Sequence, residues 1–118
     1  MHVLIIDDNV LHLKMCRILL EKMNHTVMTE ESLDSLKKHT DGMTEPDIAL
    51  VDFRLQPGVT GVDALQFLKQ NTKWSKTKYL ALTADVGERS YLDGSGFDDV
   101  VFKPVTESLL SDILRKYE

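Results

Sequence analysis

Asp7 and Asp8, Asp52, Thr83 and Lys103 each stand at the end of a short apolar run, or directly after one, and Lys103 is followed by Pro104. Three carboxylates, a hydroxyl and an ammonium drawn into one place could hold a hard cation and a phosphoryl group. Carboxylates sharing a crevice repel one another, so at least one keeps its proton unless a cation neutralises them. Magnesium suits such a set. It prefers oxygen ligands, keeps several waters, and commonly takes one or two carboxylates together with a phosphate. Lys103 would supply a mobile point charge to a phosphate oxygen. Thr83 would donate a hydroxyl hydrogen bond, and small Ala84 beside it would let backbone N–H groups approach an oxyanion. Each residue alone is ordinary: an aspartate marks a turn, a threonine suits a strand. Their recurrence at the ends of successive apolar runs carries the information.

Those runs are the elements that must position them. Val3–Ile6, Ile48–Val51, Tyr79–Leu82 and Val100–Phe102 are continuous apolar stretches, too short for helices and suited to strands buried on both faces. His25–Thr29 alternates more weakly and reads as a strand nearer an edge. Helical spacing fills the gaps. Over Val10–Met23, Leu11, Met15, Cys16, Leu19, Leu20 and Met23 are predicted to form one face, with Asn24 ending the helix in the left-handed conformation. A short helix is expected within 31–39 on Leu33 and Leu36, and another over Val62–Gln70 on Val62, Leu65 and Leu68. The last helix has Thr106 as N-cap, Glu107 against its positive end, and a face of Leu109, Leu110, Ile113, Leu114 and Tyr117. Ala84–Ser95 carries Gly87 and Gly94 with only Tyr91 and Leu92 large and apolar, so a helix there is short and marginal. The alternation implies an α/β fold: a doubly wound parallel sheet with helices on both faces and right-handed crossovers. In such sheets ligands bind at the carboxyl edge, where loops of neighbouring strands diverge.

At 118 residues and 13.4 kDa, residues 1–118 are expected to form a single domain with no attached effector. With 42% hydrophobic and 28% charged residues, a net charge of −5 and no basic stripe, nucleic-acid binding is not expected. Cys16 is the only cysteine, so no intramolecular disulfide can form, and it reads as a packing residue. The first residues lack the pattern of a signal peptide, and no apolar run approaches transmembrane length, so a cytoplasmic protein without membrane contact is expected. His2, His12, His25 and His39 show no ligand spacing, and Trp74 is expected to be partly exposed in a polar loop. The glycines near 58–61 and 94–96 make neither a dinucleotide fingerprint nor a P-loop.

VLIIDDN, IALVDFRL, a helix led by Gly61, LALTA and GFDDVVFKP together resemble the receiver domain of the response-regulator family of two-component signalling. The resemblance spans the whole chain and is closest in kind to the chemotaxis receivers. It implies a flavodoxin-like five-stranded sheet of order 2-1-3-4-5. It implies that Asp52 is the phosphoacceptor, charged by a histidine kinase or histidine phosphotransfer protein. Asp8, Asp52 and the backbone carbonyl of Arg54 would bind Mg²⁺ directly, and Asp7 mainly through water. Thr83 and Lys103 would grip the phosphoryl oxygens, and the Lys103–Pro104 bond would be cis. Such a domain is no enzyme in the usual sense, since it speeds only its own phosphorylation and dephosphorylation. It would act on a downstream protein partner as a monomer or weak dimer.

Three departures from the family bear on output. Val100 stands where an aromatic switch residue is common, and Phe102 is expected to face away from both Lys103 and the switch direction. The stretch from Thr83 to Gly96 is short, which alters the fourth helix. The loop Phe53–Gly61 is long, as in receivers attached to hybrid histidine kinases. Arg54 and Asp85 flank the site and are expected to pair across its entrance, tuning phosphate lifetime together with Thr83, Ala84 and Val100. Three other functions compete with a signalling switch. A phosphorelay intermediate would pass its phosphoryl group to another histidine. A hydrolase of external phosphoesters would need a cap that 118 residues leave little room for. A phosphorylation-independent interaction module would be marked by loss of an acidic residue or the lysine, and all are present.

Overall fold

A computed structural model describes residues 1–118. Seven strands run in chain order: β1 (His2–Ile6), β2 (Thr26–Glu30), β3 (Ile48–Asp52), β4 (Arg54–Gln56), β5 (Val59–Thr60), β6 (Lys78–Thr83) and β7 (Asp99–Phe102). Five helices accompany them: α1 (Val10–Lys22), α2 (Leu33–His39), α3 (Gly61–Asn71), α4 (Arg89–Asp93) and α5 (Glu107–Lys116). The main sheet is parallel, with order β2-β1-β3-β6-β7. Counting only its strands, this is the expected 2-1-3-4-5.

Strand alternation divides the core in two. Val3, Ile5, Ile48, Leu50, Leu80, Leu82 and Val101 face α1 and α5, meeting Leu13, Cys16, Leu20, Leu110, Ile113 and Leu114. Leu4, Ile6, Ala49, Val51, Ala81 and Val100 face the other layer, meeting Leu36 of α2, Ala64, Leu65 and Leu68 of α3, and Leu92 of α4. Each buried aliphatic side chain contributes roughly 1.5–3 kcal/mol. Both faces of β1 and β3 are therefore apolar, which explains runs without polar interruption.

The helix ends follow their local signals. Asn9 caps α1, accepting from the His12 backbone N–H, and Asn24 sits at φ 67° beyond its end. Thr106 caps α5 by accepting from the Leu109 N–H. The segment 84–95 forms a single 3-10 turn at Val86–Glu88 and the five-residue α4, as short as expected. Trp74 is partly buried against the core.

Three expectations are corrected. The buried face of α1 is Leu13, Cys16 and Leu20, whereas Leu11, Met15 and Ile18 point outward at 78%, 40% and 66% exposure. Apolar residues occur all round this helix, so spacing alone could not choose between faces. The stretch after Asp52 is not a plain loop. β4 and β5 pair antiparallel around Gly58 at φ 79°, and fully buried Leu55 pins the hairpin to the core. Finally, Phe102 lies on the same face as Val100, because residues two apart in a strand share a side.

Candidate functional site

Parallel registration brings the strand ends level. Ile6 pairs with Val51, Asp52 with Leu82, and Thr83 with Phe102. Asp7 follows β1 and is fully buried, while Asp52 and Thr83 are the last residues of β3 and β6 and are also buried. Lys103 follows β7 and reaches back over the edge. Its Nζ lies 3.3 Å from Asp7 Oδ2 and 3.2 Å from Asp52 Oδ2. Asp7, exposed Asp8 and Asp52 each offer a carboxylate oxygen within 4.8 Å of the others. A cleft of about 290 Å³ opens here, lined by Asp8, Asp52, Arg54, Thr83, Ala84 and Lys103 among others. The Lys103–Pro104 peptide bond is cis.

Gly61 permits this packing at the start of α3. A Cβ there would lie 2.5 Å from the carbonyl oxygen of Asp52. Only a residue without one lets the helix begin against the end of β3.

The two buried carboxyls differ. Burial pushes the Asp52 carboxyl up to about 7, assisted by neighbouring Asp7 and opposed by Lys103. Burial also acts to raise Asp7, but hydrogen bonds from His12, the Asn9 backbone N–H and Asp52, with the Lys103 charge, hold it well below the usual carboxylate range. His12 itself is raised to about 9, chiefly by its hydrogen bond to Asp7. Lys103 is raised by Asp52 and Asp7 against the effect of burial. A crevice in which one of two carboxyls retains its proton near neutrality has unsatisfied demand for positive charge. Oxygen donors from Asp7, Asp8 and Asp52 fit a hard divalent cation such as Mg²⁺.

The expected pair between Arg54 and Asp85 does not form. The Arg54 guanidinium binds Glu88 Oε2 at 2.8 Å, and Asp85 turns back to accept from the Gly87 N–H at 2.9 Å. An aspartate that caps a tight turn is committed to its own backbone. The Thr83 hydroxyl donates to Glu88 Oε1 at 2.5 Å. Ala84 is exposed at the cleft wall, and Val100 is buried. Sequence reasoning missed two residues. His12, dismissed for want of ligand spacing, is the third residue of α1, and the Asn9 cap turns it back onto Asp7. Glu88 lay in the stretch with the poorest local signal. The available hint was an acidic residue five positions beyond a strand-end threonine.

Residues 3–115 match the family described as the response regulator receiver domain, and the chain belongs to it. The chain is 30% identical over 120 residues to the signal transduction histidine-protein kinase BarA of Escherichia coli K12, covering all of this chain but 13% of that protein. It is 27% identical over 121 residues to the polar-differentiation response regulator DivK of Brucella ovis, covering 98% of this chain and 94% of DivK. A CheY-like receiver domain from Methylobacillus flagellatus superposes with a TM-score of 0.85 at 20% identity, over 99% of this chain and 98% of that one. Receiver domains are signalling phosphoacceptors that bind Mg²⁺ at an acidic pocket and work with histidine kinases and downstream partners. No helix here is long and apolar enough to cross a membrane.

Proposed function

We propose that this chain is a single receiver domain whose Asp52 takes a phosphoryl group from a phosphohistidine. The observation that carries the reading is the position of Lys103 Nζ within 3.3 Å of both buried carboxylates. Phosphoryl transfer asks for positioning and charge neutralisation more than for covalent help. A carboxylate oxygen of Asp52 attacks phosphorus. The O–P bond forms, the P–N bond to the donor imidazole breaks, and the nitrogen leaves with the electron pair and takes a proton from solvent. Lys103, already at the edge, swings from the carboxylates to a phosphoryl oxygen. The Thr83 hydroxyl donates to another. Asp7, Asp8, Asp52 and the Arg54 carbonyl are the groups that would hold Mg²⁺, which when bound neutralises the carboxylates and the phosphoryl oxygens. Hydrolysis of the resulting acyl phosphate by water returns the domain to its resting state, and no external substrate is turned over beyond the phosphodonor.

α1 offers an apolar surface on which such a donor could dock. Its outward Leu11, Met15 and Ile18 follow directly on Asn9, which lines the cleft, so a helical phosphodonor seated on them would bring a histidine to Asp52. A second reading, transfer onward to another histidine, is favoured by Val100, because a relay needs less conformational output than a switch. The resemblance to BarA over the whole chain supports it.

Intact-mass analysis after incubation with acetyl phosphate tests the reading. A Mg²⁺-dependent phosphoryl adduct is expected on the wild type and not on Asp52→Asn. No adduct with acetyl phosphate or with a phosphohistidine donor would turn the reading toward a phosphorylation-independent interaction module.

A further inference from the structure

We infer that Glu88 is a positioning residue of this site: its carboxylate holds the Thr83 hydroxyl and the Arg54 guanidinium together, and a phosphoryl group on Asp52 displaces it, freeing the segment 86–93. The inference rests on the reading of Asp52 as phosphoacceptor. Thr83 Oγ1 accepts from the Asp85 N–H at 3.1 Å and donates to Glu88 Oε1 at 2.5 Å. A hydroxyl has one proton to give. It cannot serve Glu88 and a phosphoryl oxygen together. The second Glu88 oxygen binds Arg54 at 2.8 Å, so one side chain, 12% exposed, bridges the two walls of the cleft.

Three forces act in the same direction once Asp52 is phosphorylated. The phosphoryl group carries about two negative charges where the carboxylate carried at most one, and it brings three acceptor oxygens. It competes for the Thr83 proton, attracts the Arg54 guanidinium, and repels the Glu88 carboxylate. Glu88 therefore loses both partners and gains an unfavourable neighbour.

The segment that carries Glu88 is loosely held. Glu88 closes the 3-10 turn and passes directly into α4, where Leu92 is the only buried residue. Tyr91 adds an edge contact to Phe53, with ring centroids 5.7 Å apart, and the Arg89 guanidinium lies 5.8 Å from the Phe102 ring centre. Few buried apolar contacts make a segment inexpensive to open. Val86 and Tyr91 are exposed on it, so its movement alters an apolar surface that a partner can read. With valine at position 100, the state of Asp52 is reported by a carboxylate on this segment instead of by an aromatic ring on β7.

Amide hydrogen exchange over 86–93, followed by mass spectrometry in the full chain, tests this beside acetyl phosphate labelling. In the unmodified protein Glu88→Ala is expected to speed exchange of that segment about tenfold to a hundredfold, the loss of a hydrogen bond to a charged group. Glu88→Gln, which keeps an acceptor for Thr83, is expected to fall between. Phosphorylation of the wild type is expected to speed the same amides by a similar factor, and phosphorylated wild type and Glu88→Ala to exchange alike. A merely structural role would leave the two different. Glu88→Ala is also expected to take the phosphoryl group several-fold faster. Equal exchange before and after phosphorylation, or labelling of Glu88→Ala no faster than wild type, overturns the inference. If the wild type takes no phosphoryl group at all, the Asp52 reading fails and the coupling with it. Exchange in the unmodified proteins then still decides whether Glu88 pins the segment.

Discussion

His12 Nδ1 is hydrogen-bonded to Asp7 Oδ2, joining the first turn of α1 to the end of β1 beneath the cleft. The contact ties the charge state of a helix residue to the most buried carboxylate of the site. His12 Nε2 in turn lies 3.6 Å from the Cys16 sulfur, so the imidazole is held at both nitrogens.

The first prediction follows from this pair. The His12 pKa in the folded protein, about 9, exceeds its ordinary value of 6.5. A raised pKa contributes stability that is fully present below pH 6.5 and is lost as pH rises through 9. Asp7, held low, stays ionised throughout that window. His12→Ala is expected to cost about 1.5–3 kcal/mol at pH 6, the range for a hydrogen bond to a charged group. Most of that difference should vanish by pH 10. Urea denaturation of both proteins at the two pH values checks it, and an equal difference at both would refute the assignment.

The second concerns Asp52, whose folded pKa of about 7 lies above the ordinary 3.8 through burial first and Asp7 second. Its stability contribution is present below pH 3.8 and is lost as pH rises through 7. Asp52→Asn is therefore expected to raise Tm relative to wild type at pH 8, by an amount equivalent to about 1–3 kcal/mol, and to leave it little changed at pH 4. Carbon-13 NMR of the Asp52 carboxyl in the absence of divalent cations should titrate near neutrality. Saturating Mg²⁺ should move that titration to lower pH, and chelation should restore it.

Third, Lys103→Met should leave Asp7 and Asp52 facing each other without their cation. Removing one partner of a partly buried ion pair is expected to destabilise by about 1–3 kcal/mol, less than the full cost of a buried pair because Lys103 is 23% exposed. Mg²⁺ should restore more stability to Lys103→Met than it adds to the wild type, since the ammonium no longer repels it. Thermal unfolding against Mg²⁺ concentration gives the comparison. Equal gains in the two proteins would count against a shared cation site.

Fourth, Gly61→Ala places a Cβ 2.5 Å from the Asp52 carbonyl oxygen, which is backbone and can move only with β3. A loss of about 1–3 kcal/mol is expected, in the range of overpacking, with slower phosphoryl labelling because Asp52 moves too. Gly42→Ala is the control. Nothing lies within 4 Å of its added Cβ, and a change within about 0.5 kcal/mol is expected.

Sequence and tertiary structure contributed differently to this site. Asp7, Asp8, Asp52, Thr83 and Lys103 were legible because each is marked by a local event, an apolar run ending in a polar residue, and a parallel sheet carries every such ending to one edge. The caps at Asn24 and Thr106 were legible for the same reason, since capping is a matter of a few neighbouring residues. Strand order was not local, and it came from resemblance to a family.

What only the folded chain decided is which side chains meet across elements. The outward face of α1 depended on which of several apolar residues the sheet accepted. The hairpin of β4 and β5 depended on one buried leucine, Leu55, too little for a periodic signal. Arg54 chose Glu88 over Asp85 because Asp85 was already bound to the Gly87 backbone, and His12 found Asp7 because its cap turned the helix back on the strand. Types and order of elements follow from short-range preferences written along the chain. Partners at a site follow from distances of a few ångströms between distant residues, and these exist only once the core has set the elements against one another.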